Sequence, residues 1–200
     1  MKIVNLALQK NGTKSFHHFC RNKGLSSIHW LPVDSHGNYC RDYLKILESA
    51  ASEDLARGGF ETVQAFYERY YLDYYDCFSD TPIPVLRKMF LERYPNATYL
   101  LVYRDPDRWV DSVQRHFQKI CTKTDILVYK YLTGVEVDHI LDYTARQLKQ
   151  AYEFYIQETI ELARTHHAHL HLLSLDRDDQ TDLLNRIIPY GQSSRFGRYR

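Results

Sequence analysis

Short apolar runs alternate with longer amphipathic stretches along the whole chain. Residues 2–8 read as a strand: after Lys2 the run is apolar but for Asn5 and too short for a helix. A polar turn with Gly12 follows, and residues 14–23 place Phe16, Phe19 and Cys20 on one helical face, with Gly24 as the stop. Residues 25–43 show no period and read as an irregular excursion. The pattern then predicts helices over 44–56 and 60–74, a strand over 75–79, and a helix from Pro82 to Tyr94. A strand over 98–103 ends at Arg104, Asp105 and Pro106, where Asp105 suits an N-cap and Pro106 a first helical residue, so a helix runs to about 120. Residues 121–134 have no decisive pattern. A long helix over 138–164, a fourth strand over 168–175 and a closing helix over 178–188 complete the reading.

Strands alternating with helices imply right-handed crossovers and a parallel sheet covered on both faces. The expected class is therefore α/β, three layers in the order α/β/α around a central parallel sheet. No repeat or linker divides the 200 residues, which read as one domain, with 190–200 as a basic, flexible tail.

Composition narrows the function classes. Hydrophobic residues make up 44% and charged residues 26%, which excludes disordered and collagen-like chains. Twenty-six basic against 25 acidic side chains leave +1, which argues against a nucleic-acid polycation. No stretch is long enough to cross a membrane or to serve as a signal-peptide core. Cys20, Cys40, Cys77 and Cys121 form no C-x-x-C pair and read as reduced thiols of a cytoplasmic protein.

In an open parallel sheet, ligands bind beyond the carboxyl ends of the strands. The loop after the first strand holds Lys10, Asn11, Gly12, Thr13, Lys14 and Ser15. A glycine turn that opens a helix points backbone N–H groups at one spot, and the helix dipole adds positive potential, so this loop is an anion cradle. It is not the G-x-x-x-x-G-K-[ST] phosphate loop, since Gly12 precedes Thr13 and no earlier glycine is present. At the third strand's end, Arg104 offers a bidentate grip on phosphate and Ser112 a hydroxyl two helical turns on. Arg104 equally fits an ion pair with Asp105 or Asp107.

Taken together, these residues resemble the sulfotransferase family. The first loop is similar to its P-K-[ST]-G-T-[TS] pattern, and the run from Tyr94 through Arg104, Asp105, Pro106 and Trp109 to Ser112 to its strand-Arg-[DN]-P-x-x-W/Y-x-x-S signature. Phe78 to Pro82 and residues 169–184 extend the resemblance. It implies the phosphate-loop-like sulfotransferase fold and 3′-phosphoadenosine-5′-phosphosulfate as donor, leaving adenosine 3′,5′-bisphosphate as product. The 5′-phosphosulfate would lie on Lys10 to Ser15 and the 3′-phosphate on Arg104 and Ser112, with Arg195, Gly197 and Arg198 as a late basic loop. No metal is required, and the acceptor is a small molecule with a hydroxyl or amine. Lys10 would neutralise the leaving phosphate oxygen. Gln9 stands where the family has proline and is expected to cost loop stiffness; Lys14 adds a second cation.

A hydroxyl acceptor needs a base. Asp80 sits beyond the second predicted strand, at the sheet edge of Lys10, though it equally fits the N-cap of the next helix. His17, His18, His29 and His36 are alternatives. His167, His169 and His171 alternate along one predicted strand, with no acid or cysteine to complete a metal set. Tyr67, Tyr70, Tyr71, Tyr74 and Tyr75 form a stripe that fits either core or an aromatic pocket wall. Asp176 imitates the acid of a nucleotide-hydrolysing site. An ATP-dependent kinase and a non-catalytic nucleotide-binding protein are the competing readings.

Overall fold

A computed structural model describes residues 1–32, 39–177 and 179–188. His36, Arg195, Gly197, Arg198 and the basic tail fall outside the described residues. In chain order the elements are β1 (Ile3–Asn5), α1 (Thr13–Asn22), β2 (Ser27–His29), α2 (Arg41–Arg57), α3 (Glu61–Tyr70), β3 (Cys77–Ser79), α4 (Ile83–Arg93), β4 (Thr98–Tyr103), α5 (Pro106–Phe117), α6 (Lys123–Thr133), α7 (Ala145–Thr165), β5 (His169–Ser174) and α8 (Gln180–Ile187). One 3-10 turn, Ile140–Asp142, precedes α7.

The five strands form one sheet in the order β2-β3-β1-β4-β5, and every pairing is parallel. The chain is α/β with helices on both faces, as the alternation of elements requires. One apolar cluster joins Ile3, Cys77, Leu100 and Val102 to Phe16 and Cys20 of α1 and to Leu183 and Leu184 of α8. The other joins Val4, Phe78, Tyr99 and Leu101 to buried residues of α2 to α7. Adjacent strand residues enter opposite clusters because strand side chains alternate. Only the step from β1 to β2 runs towards the β2 edge; those into β3, β4 and β5 run the other way. A single crossover hand therefore puts α1 on one face and α2 to α7 on the other. The reversal happens at β1, so the carboxyl end of β1 is the switch point at which such sheets bind ligands.

Several sequence expectations are corrected. Among the described residues the sheet has five strands, not four: β2 lies in the segment read as irregular. Its three residues are too few to show a period, and pairing with β3 makes them a strand. The first strand ends at Asn5, after which only the Leu6 amide adds a bond to the sheet, to the Leu100 carbonyl at 2.7 Å. The asparagine is the reason: Asn5 Oδ1 accepts the Ala7 amide at 3.1 Å and turns the chain out of the ladder. The long helix starts at Ala145, not 138, because Thr144 and Gln147 form a reciprocal capping box. Helix α3 stops at Tyr70, so the tyrosine stripe continues into turns. Its first turn is capped from α2: both oxygens of buried Asp54 accept amides, from Thr62 at 2.9 Å and Val63 at 2.8 Å.

Helix α6 fills the segment that had no decisive pattern. Thr122 and Asp125 form its capping box, and Glu48 of α2 accepts the amides of Lys123 and Thr124 at the same end. The indole of Trp109 is fully buried and stacks on Tyr152 with ring centroids 4.3 Å apart, joining α5 to α7. Such a pair adds about 0.5–1.5 kcal/mol beyond the area it buries. Among the described residues no helix is long and apolar enough to cross a membrane.

Burial pushes the Asp125 carboxyl from 3.8 up to about 6, against the pull of the hydrogen bonds it accepts from Thr122 and Gln9. Between those values the folded protein binds more protons than the unfolded chain. This group's contribution to stability therefore falls as pH rises through that window and stays low above it. Asp125→Asn removes the titration. In urea denaturation across roughly pH 4 to 7, the difference between variant and parent should move in the variant's favour up to pH 6 and then level off. A pH-independent difference refutes the assignment.

Candidate functional site

The site is built where β1, β3 and β4 leave the sheet. After β1 the chain makes a tight turn, with the Asn11 amide donating to the Leu8 carbonyl at 3.3 Å. Lys10 is the third residue of that turn and has φ 68°, a left-handed conformation uncommon for a residue with a side chain. Gly12 follows at φ 71° and is the N-cap of α1. That backbone conformation favours glycine, and a Cβ on Gly12 would also come within 3.1 Å of Leu175 Cδ2, which would have to shift.

No side chain caps α1, and its hydrogen-bond ladder begins only with the Phe16 amide, which donates to Gly12. The amides of Thr13, Lys14 and Ser15 therefore have no partner within the helix. Lys14 and Ser15 are exposed, Lys10 is half-buried, and Asn11 and Thr13 are buried. The result is a positive helix end with a lysine on either side of Gly12 in sequence, a chemistry suited to an anion.

Four tethers hold this loop. Trp109 Nε1 donates to the Gln9 carbonyl at 2.9 Å. Arg104 Nη1 reaches the Lys10 carbonyl at 3.4 Å. The Tyr152 hydroxyl accepts the Arg104 amide at 3.0 Å and donates to Asn11 Oδ1 at 3.1 Å. Gln9 Nε2 donates to Asp125 Oδ1 at 2.7 Å. The expected loss of stiffness at Gln9 is thus offset: its side chain is anchored to a buried carboxyl that the sequence did not place nearby.

Arg104 does not pair with Asp105 or Asp107. Asp105 caps α5 by accepting the amides of Asp107 and Arg108 at 3.1 and 3.0 Å, and Asp107 pairs with Lys149 at 2.8 Å. The guanidinium lies against the first loop instead, and its Nε is buried with no protein partner. Ser112 is half-buried on α5 and makes no bond to Arg104 among the described residues. Asp176 accepts the Asp105 amide at 2.7 Å and pairs with Arg108 at 3.1 Å, so it fastens β5 to the start of α5.

Asp80 does not cap α4, which has no side-chain cap. Its φ is 76°, and its Oδ2 lies 2.8 Å from His29 Nε2, which is also 3.2 Å from Thr13 Oγ1. The other oxygen, Oδ1, is buried with no protein partner. The carboxylate is thus joined through one imidazole nitrogen to the first residue of α1. His17 bonds Ser27 Oγ at 2.9 Å, and burial, then His29, lowers it to about 4, so it is neutral near pH 7. His18 is exposed. His116 of α5, a residue the sequence reading passed over, is held below its ordinary value by burial and then by the Lys10 ammonium. Trp30 and Tyr39 meet edge to face at 4.9 Å, and the Trp30 indole N–H is buried without a protein partner.

The remaining candidates separate. Tyr67, Tyr71 and Tyr75 are core, Tyr70 is half-buried and Tyr74 is exposed. His167 precedes β5 at φ 52°, so only His169 and His171 share the strand. Among the described residues no three His, Cys, Asp or Glu side chains are grouped to hold a metal. Of the residues that matter here, Asp125 had a readable signal, the T-x-x-D spacing from Thr122; Tyr152 had none.

The sulfotransferase domain family matches residues 2–176 of the chain. No curated protein matches it. The matched span takes in the Lys10 turn, Asp80 and the stretch from Arg104 to Ser112, and with it the chain belongs to the sulfotransferase domain family.

Proposed function

We propose that this sulfotransferase domain uses 3′-phosphoadenosine-5′-phosphosulfate as donor and sulfates a hydroxyl or amine of a small-molecule acceptor. The observation that carries this reading is one sheet edge on which an uncapped helix start, Lys10 and a guanidinium with a buried, unpartnered Nε meet. The donor, when bound, supplies an activated sulfuryl group. The amides of Thr13, Lys14 and Ser15, with Asn11, Gly12 and the Thr13 hydroxyl, would hold its 5′ end. Arg104 and Ser112, with Arg195, Gly197 and Arg198, would hold its 3′-phosphate. The four free thiols support a reducing, cytoplasmic setting.

Each residue has one task in this reading. Lys10 meets the charge that develops on the departing phosphate oxygen, where a preorganised cation acts without reorganising. Asp80 takes the acceptor's proton as the acceptor oxygen or nitrogen attacks. His29 holds its Oδ2. Trp30 and Tyr39 supply an aromatic wall beside it.

Three outcomes test the reading. In thermal unfolding, adenosine 3′,5′-bisphosphate at about a hundred times its Kd should raise Tm by roughly 5–10 °C. ATP with Mg²⁺ should give a clearly smaller shift; the reverse order favours a kinase. Arg104→Ala should weaken calorimetric binding of the bisphosphate by about 1.5–3 kcal/mol, the scale of a charged hydrogen bond. Adenosine 5′-phosphate should bind both proteins alike, and an equal loss for both nucleotides counts against a 3′-phosphate contact. Asp80→Asn should lower kcat at neutral pH by at least about 10²-fold; undiminished kcat removes Asp80 as the base.

A further inference from the structure

Asp125 lies 5% exposed at the start of α6 and uses both carboxylate oxygens. Oδ2 completes the helix cap, accepting the Thr122 amide at 3.0 Å and the Thr122 hydroxyl at 2.7 Å. Oδ1 does nothing for the helix; it accepts from Gln9 Nε2 at 2.7 Å, 116 residues away in sequence. A cap needs one oxygen, and an exposed one serves. Burial instead raises this carboxyl to about 6, so near pH 7 its charge burdens the fold despite three accepted hydrogen bonds. A costly buried charge kept on a loop contact calls for a reason other than stability.

The geometry of the loop supplies that reason. Residues 8–11 form a hydrogen-bonded turn with φ positive at its third residue, Lys10, and not at its second, Gln9. That is the type II arrangement, which prefers glycine or asparagine third and proline second. A lysine in the left-handed position is strained and stays there only where its surroundings hold it. Gln9 is the residue through which they do: its carbonyl is held from α5 by Trp109 and its amide group from α6 by Asp125.

We propose that Asp125 is a positioning residue for the donor loop, fixing through Gln9 the turn that presents Lys10 and the start of α1. This rests on the reading of that loop as the donor site. Proline at position 9 would fix the same turn by its ring, with no side-chain partner needed. Among the described residues the Gln9 backbone N–H has no acceptor that proline would cost.

The test pairs Asp125→Ala with Asp125→Ala/Gln9→Pro, each as the full chain. Three measurements are made: hydrogen exchange at the Lys10 and Asn11 amides, calorimetric binding of adenosine 3′,5′-bisphosphate, and Tm. Asp125→Ala should speed exchange and weaken binding roughly tenfold, the scale of a lost charge-assisted hydrogen bond. It should also lower Tm, because the cap is lost. Adding Gln9→Pro should restore slow exchange and most of the affinity while Tm stays low. Exchange unchanged in Asp125→Ala, or no recovery with proline, overturns the proposal. A parent protein that ignores the bisphosphate overturns the donor reading, and the exchange measurements still decide the tether.

Discussion

A strained turn at the end of the central strand is the constraint on which the site depends. Lys10 and Gly12 both lie in the left-handed region, two residues apart, and between them they reverse the chain from β1 into α1. Glycine accepts this freely; lysine does not. The turn survives because α5, α6 and α7 each send a polar group to it: Trp109, Asp125 and Tyr152. The Arg104 guanidinium adds the fourth contact. Helices remote in sequence thus determine where an ammonium group and the first amides of α1 stand.

The sheet topology explains why those helices can reach the loop. Strand β1 lies at the centre, and the chain's first crossover runs in the opposite direction from the later ones. The covering layer on one face therefore consists of α1 and α8, and that on the other of α2 to α7. The end of β1 opens between the two layers, with β3 and β4 beside it. Asp80 and Arg104 are the first residues beyond those neighbouring strands, so both arrive at the same edge. His29, at the end of β2, then joins Asp80 to Thr13.

The apolar periodicity was a reliable guide wherever an element was long or bounded by strong punctuation. The strand over 98–103 matches β4 residue for residue, and Asp105 with Pro106 starts α5 as expected. Shorter or polar-ended elements escaped. Three residues of β2 carry no period, and α6 was missed although its Thr122–Asp125 capping spacing stood in the sequence. Asn5 also ended the first strand early, because its side chain competes with the ladder for a backbone amide.

Taken by itself, the sequence determined the alternation of strands and helices, the glycine turn at the end of the first strand, and the order in which Lys10, Asp80 and Arg104 follow their strands. These are local matters of spacing, propensity and backbone freedom. Only the tertiary structure decided that Arg104 leans on the Lys10 carbonyl, that Asp80 and Thr13 meet one imidazole nitrogen of His29, and that Gln9 is anchored rather than loose. Each of those contacts joins residues from different elements. Their energies depend on burial and distance, which exist only once the sheet has brought its strand ends together.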